Sequence, residues 1–206
     1  MEKVDWFPDW NGQAVAIVAS GPSTKKVSYK ALEGRIRTLA IKENHEICPW
    51  SEMIYGCDQA FWRNCMGLPN YKGLKVAYKS AFSTIKSIDI DKKADRILTE
   101  QPGLVGSGGN SGFQALNLAI QFGAKRILLL GFDMSDQHGV HWFGRSQGDG
   151  RSQPAEWNFK RWRAAFSVAA CQMHTLGVEV LNSSPLTSLT CFPKVSVEDA
   201  LKRWRL

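Results

Sequence analysis

The 206 residues contain five cysteines, an odd number with no C-x-x-C pair, which excludes a disulfide framework or a zinc knuckle as the basis of the fold. Cys48, Cys57, Cys65, Cys171 and Cys191 are expected to be reduced thiols, mostly buried. Long hydrophobic runs are also missing. The longest, Ala14 to Ala19 and Ile127 to Leu130, fall far short of the roughly 20 residues that span a bilayer. The opening Met-Glu-Lys-Val-Asp-Trp is charged and has no apolar h-region, so a cytoplasmic protein without a membrane partner is expected. No Walker motif is present, because no Gly-Lys-Ser/Thr follows a glycine-rich turn, and no dinucleotide fingerprint follows the first apolar segment. Repeats, low-complexity tracts and linkers are lacking too, which leads to an expectation of one domain over residues 1–206.

A hydrophobic content of 44% is enough for one substantial core, and the net charge of +7 favours polyanionic partners such as nucleotide phosphates or DNA. The late basic clusters, Lys160, Arg161 and Arg163 and then Lys202, Arg203 and Arg205, are interleaved with tryptophan. They are either solvated helix faces whose aromatic members pack inward or a nucleic-acid contact.

Periodicity predicts an α/β alternation. Gln13 to Ala19 reads as a buried strand broken by Ser20-Gly21-Pro22-Ser23, and a polar stretch to Gly34 reads as a helix. Arg37 to Ile41, Ser51 to Cys57 and Leu74 to Tyr78 read as further strands, with a short aromatic helix at Gln59 to Met66. Ser80 to Gln101 is expected to be a surface excursion or edge strand with a strand-like centre at Arg96 to Thr99. Next come a glycine-rich turn at Gly106 to Gly112, an apolar helix at Phe113 to Phe122 with Gly123 just past its end, and a buried strand at Arg126 to Leu130. Residues 131–153 are too long for an ordinary connection and are predicted to form a lid or active-site loop. A helix from Pro154 to Leu176, a strand at Val178 to Leu181 and a last helix from Val197 complete a mainly parallel sheet.

In such a sheet the ligand crevice lies beyond the carboxyl ends of the strands, so the residues there are the candidates. The turn containing Gly21, Pro22 and Ser23 offers backbone N–H groups to a phosphate or ribose, or simply caps a helix. Gly108, Gly109, Asn110 and Ser111 precede a helix, whose positive end suits a negatively charged or carbonyl-bearing ligand. Asn44, Asp58, Asn182 and Ser183 follow other strands. Asp133 and His141 are the candidates for acid/base work, because histidine titrates near neutral pH and a carboxylate can fix its tautomer. His138 competes with His141. Asp133, Asp136, His138 and His141 form an alternative metal set.

Taken together, Gly21-Pro22-Ser23, Asn44, Asp58, Gly109-Asn110-Ser111-Gly112, Gly131-Phe132-Asp133-Met134, His141 with Trp142-Phe143, and Asn182-Ser183-Ser184-Pro185 resemble a family of bacterial and bacteriophage proteins. That family is related to bacterial sialyltransferases and to archaeal-type 6-hydroxymethylpterin pyrophosphokinases. The resemblance covers most of the chain and implies a Rossmann-like sheet of the sialyltransferase kind with helices on both faces. It also implies that the Gly-Pro-Ser turn and Asn44 lie near a nucleotide's phosphate and sugar, that the Ser111 helix start lies near a nucleotide-sugar, and that His141 is a general base. Asp58 stands where the sialyltransferases carry a polar amide.

Three functions stay open at this stage. The first is a glycosyltransferase-like enzyme using a nucleotide-sugar, with Arg145 or Arg151 as a basic aid to the leaving phosphate. The second is a nucleotide-dependent phosphoryl or diphosphoryl transferase in which Asp133 and Asp58 hold Mg²⁺. The third is a non-catalytic nucleotide- or DNA-binding phage protein. A homo-oligomer is compatible with each.

Overall fold

The first apolar run forms β1 (Ala14–Val18) in the computed structural model, which describes residues 4–144 and 153–206. Every β1 side chain is buried because both faces of the strand are covered. Val15 and Ile17 face a core shared with two helices, α2 (Ser111–Gln121) and α3 (Glu156–Leu176). Ala14, Ala16 and Val18 face a second core closed by α4 (Val197–Trp204). The period of two along the strand thus puts helices on both faces of the sheet.

The other strands are β2 (Arg37–Ile41), β3 (Met53–Gly56), β4 (Leu74–Tyr78), β5 (Lys86–Asp91), β6 (Leu104–Gly106), β7 (Arg126–Leu130) and β8 (Glu179–Asn182). They form one eight-stranded sheet in the order β6-β5-β4-β3-β2-β1-β7-β8, and every pairing is parallel. From β1 the chain steps outward to β6, then returns to the other flank of β1 for β7 and β8. The order therefore reverses between β1 and β7, and the two strand ends lie level there, with Val18 paired to Leu130. A ligand crevice forms at such a point because connections leave it in opposite directions.

α1 (Gln59–Asn64) covers a third, smaller cluster in which Phe61 and Trp62 pack on Ile54 and Ala77. α2 is buried along nearly its whole length. Its N-cap Asn110 accepts a 2.9 Å hydrogen bond from the Phe113 N–H, and Gly123 follows it at φ +95°.

The structure corrects two sequence expectations about elements and one about cysteines. Residues 22–34 form two short 3-10 turns, Pro22–Lys26 and Tyr29–Leu32, because the Ser23 N–H and hydroxyl are drawn to Asp133 and Val27 is already extended. Arg96 to Thr99 is no strand, and the strands of that region are β5 and β6 instead. The Ile97 N–H goes to the Gln172 side chain, and both backbone polar groups of Leu98 go to Asn117, so side chains of α3 and α2 replace a ladder. The expected mainly parallel sheet is found, with all of its pairings parallel. Of the cysteines, all free, only Cys48 is fully buried, which pushes its thiol up to about 12, while Cys171 is exposed.

Three members of the basic clusters, each on a helix, meet acids of this chain. Arg161 makes two 2.9 Å hydrogen bonds to Asp95, Arg163 pairs with Glu156, and Arg203 and the Trp204 indole both bond Glu179. Among the described residues no helix is long and apolar enough to cross a membrane.

Candidate functional site

A cavity of about 260 Å³ opens at the carboxyl edge of the sheet, where the strand order reverses. Gly21 after β1, Asp58 after β3 and Asp133 after β7 line it, together with Gly109, Asn110 and Ser111 at the start of α2 and His141 from the following loop. These are seven of the residues singled out in the sequence, brought together from far apart along the chain. Arg145 and Arg151 lie outside the described residues, as does part of the expected loop 131–153.

The wall between β1 and β7 is built around a glycine. The Gly21 N–H donates to the Gly131 carbonyl at 2.9 Å, and a Cβ on Gly21 would stand 2.5 Å from that oxygen and 2.8 Å from Asp133 Oδ2. Asp133 is buried and accepts from the Ser23 N–H at 2.7 Å and from the Ser23 hydroxyl. Burial raises its carboxyl above the ordinary carboxylate range; the two Ser23 hydrogen bonds and the charges of His138 and Lys194 oppose that shift without cancelling it.

His141 reaches the cavity because its neighbour is tied down. The Trp142 N–H donates to the Ser20 carbonyl at 2.9 Å, its indole donates to Asn44 Oδ1 at 3.0 Å, and the Lys25 ammonium lies 5.5 Å from its ring centroid. The His141 ring stacks on Phe143 at 4.9 Å. His138 is exposed and does not line the cavity.

The remaining sequence candidates stand behind the wall. Asn44 is fully buried and its amide donates to Ser20 Oγ and the Ile41 carbonyl, so it joins the ends of β1 and β2 to Trp142. Pro22 and Ser23 belong to the turn held by Asp133. Gly108, at φ +51°, packs against Phe113, where a Cβ would come within 2.0 Å of the ring. Asn182 accepts from the Ser184 N–H and donates to Thr187, while Ser184 and Thr187 in turn bond the N–H and carbonyl of Phe132. Ser183 Oγ is buried without a hydrogen-bond partner among the described residues.

Lys42, Cys57 and Trp162 are among the cavity residues that the sequence reading did not single out. Lys42 and Cys57 directly follow β2 and β3, so correct strand ends were signal enough for both. Trp162 comes from α3 and reaches the wall only through helix docking, beside Gly109 at φ +74°. Lys42 pairs with Asp58. Burial would pull its ammonium down, but the charges of Asp58, Cys57 and Glu43 and the Asp58 hydrogen bond together push it up. Burial, then the Asp58 charge, pushes the Cys57 thiol up, and its Sγ lies 3.1 Å from Ser111 Oγ. Asp58 and Asp133 thus both have partners from this chain, and among the described residues no group of three His, Cys, Asp or Glu side chains could hold a metal ion.

No protein-family model and no curated protein matches the chain. Among solved structures it is similar to the sialyltransferase CstII from Campylobacter jejuni in complex with cytidine-5′-monophosphate, with 13% identity, 90% of this chain and 86% of that chain covered, and a TM-score of 0.56. It is also similar to sialyltransferase CST-II in complex with a trisaccharide acceptor and CMP, at 13% identity, 89% and 86% coverage and a TM-score of 0.54. A third, CstII from Campylobacter jejuni in complex with CMP-3FNeuAc, is 14% identical, with 89% and 86% coverage and a TM-score of 0.52. At such identity the likeness is one of fold: a parallel, Rossmann-like α/β sheet of the sialyltransferase kind.

Proposed function

We propose that this chain is a glycosyltransferase-like enzyme acting on a nucleotide-activated sugar, with its 206 residues forming one nucleotide-binding domain. The observation that carries this reading is the convergence of the Gly21 turn, the α2 start, Asp58 and His141 on one cavity where the strand order reverses. The α2 start presents backbone N–H groups and the positive end of a helix to a phosphate, and Ser111 adds a hydroxyl. The solved sialyltransferases with this fold hold CMP and CMP-sugar analogues, which makes a cytidine nucleotide the first ligand to try.

In the proposed reaction a His141 ring nitrogen takes the proton of an acceptor hydroxyl. The acceptor oxygen then forms a bond to the anomeric carbon, while the bond from that carbon to the phosphate oxygen breaks and the phosphate leaves with the electron pair. Asp133 holds the β1 turn through Ser23, and Asn44 with Trp142 holds the loop carrying His141.

A thermal-shift screen against nucleotides and nucleotide-sugars, with and without Mg²⁺, tests the binding half. A ligand at about a hundred times its Kd adds about 2.7 kcal/mol to the native state. The catalytic half is tested by His141→Ala, expected to abolish sugar transfer while leaving the ligand-induced shift in place. No shift with any nucleotide, or full turnover in His141→Ala, defeats the reading. Binding that requires Mg²⁺ points instead to the phosphoryl-transfer chemistry.

A further inference from the structure

Lys42 has φ +50°, a left-handed conformation that glycine, asparagine and aspartate adopt more readily than lysine. The residue follows directly on β2, and its ammonium donates to Asp58 Oδ2. Two further features favour that placement. Gly56, at the end of β3, leaves room for the lysine stem, since a Cβ there would lie 3.2 Å from Lys42 Cγ. Asp58 occupies the N-cap position of α1, where an aspartate commonly accepts from the helix backbone, yet its side chain makes no such bond and turns to Lys42. An unusual backbone, a cleared path and a carboxylate withheld from its helix thus converge on one charge pair. Both members line the cavity with Ser111 and His141, and the Lys42 side chain keeps 19% of its exposure.

We propose that Lys42 and Asp58 form a hydroxyl-reading pair that selects a ligand bearing a vicinal diol on a sugar ring. An ammonium offers only donors and a carboxylate only acceptors, whereas a hydroxyl does both. Adjacent hydroxyls can accept from Lys42 and donate to Asp58 while the two charges stay paired. A phosphate placed there would be repelled by Asp58 about as strongly as it is attracted by Lys42. The inference rests on the nucleotide-sugar reading and extends it. The diol belongs either to the ribose of the nucleotide or to the transferred sugar, and the chemistry recognised is the same.

Calorimetric titration of the whole chain tests the pair in two series. Ribonucleoside 5′-diphosphates are compared with their 2′-deoxy and 3′-deoxy forms, and nucleotide-hexoses with their 2-deoxyhexose and 3-deoxyhexose forms. One series is expected to lose affinity on the order of tenfold on deoxygenation, and the series that responds identifies the ring. In Asp58→Asn that discrimination falls to about twofold or less. A double variant, Lys42→Met with Asp58→Asn, leaves no unpaired buried charge and should behave alike, with its fold checked by melting. Equal affinities across both series in the unaltered chain, or discrimination that survives in the double variant, overturns the pair and leaves the transferase reading standing. Failure of every nucleotide to bind overturns both.

Discussion

The Ser23 N–H points into the carboxylate of Asp133, 2.7 Å from Oδ2, and the Ser23 hydroxyl donates to the other oxygen of the same group. A residue after β1 and a residue after β7, 110 positions apart, are thereby locked across the point where the sheet reverses its order. Burial lifts the Asp133 carboxyl in the folded state. Such a group binds its proton more tightly when folded than when unfolded. Its contribution to stability is full below the unfolded value of about 4 and is lost as pH rises through the folded one. Asp133→Asn keeps an acceptor for the Ser23 N–H but does not titrate. Urea unfolding from pH 4 to 8 is therefore expected to show the unaltered chain losing stability relative to the variant as pH rises. The opposite slope would refute the assignment.

Gly21→Ala is expected to damage this joint by contact alone. Gly21 has φ −60°, which alanine accepts without strain, but the added Cβ meets the Gly131 carbonyl and the Asp133 carboxylate. The turn must separate from β7, at a cost of about 3 kcal/mol or more in denaturant unfolding. Nucleotide binding should be lost with it. An alanine variant of unchanged stability would show that the two turns are not packed as described.

Asn117 carries the backbone of a segment that lacks a ladder. Fully buried on α2, it accepts from the Leu98 and Gly106 N–H groups at 2.9 Å each and donates to the Leu98 carbonyl at 2.7 Å. Asn117→Ala takes the side-chain acceptor from two backbone N–H groups, while the Leu98 carbonyl keeps its 2.9 Å hydrogen bond from Gln121, and is expected to cost about 2 to 4 kcal/mol, among the larger single-residue losses. Hydrogen exchange should show the Leu98 and Gly106 amides losing protection first. Protection unchanged at those two amides would argue against the bridge.

Trp142→Phe keeps an aromatic ring over Lys25 but removes the indole donor to Asn44. A loss of about 1 kcal/mol in stability is expected, because Asn44 Oδ1 is left without that donor. If His141 is the base, turnover should fall more than ligand affinity does, since the loop holding it loosens. Melting and steady-state kinetics on one preparation separate the two effects.

Met66 tests the fold away from the cavity. It is 75% exposed and sits at φ +50° after α1, so its side chain contributes little packing against a backbone conformation that disfavours it. Met66→Gly is expected to stabilise the chain by about 0.5 to 1 kcal/mol, relief of strain outweighing the extra freedom of the unfolded glycine. A lowered melting temperature would show that the residue is not strained.

Local pattern alone determined much of this protein. Unbroken apolar runs marked β1 and β7 as strands buried on both faces, the apolar helix before Gly123 was legible as α2, and together they implied a parallel α/β sheet with its candidate residues at the strand ends. Such features are legible because side-chain periodicity and backbone preference act between neighbours in the chain. Tertiary structure alone decided which residues of each turn face the cavity and which stand behind it. Ser23 and Asn44 carried the same signal as Gly21 and Ser111, but their polar groups are consumed by partners from remote segments, and those of Asn182 by Ser184 and Thr187 in its own turn. Arg96 to Thr99 looked like a strand and is none, because Gln172 and Asn117 reach its backbone first. Trp162 was legible as the tryptophan of a basic cluster but not as a cavity residue, since a side chain borne on a helix reaches a cavity only once that helix has docked. Hydrogen-bond competition and docking are settled by distances in space, and spacing along the chain does not encode them.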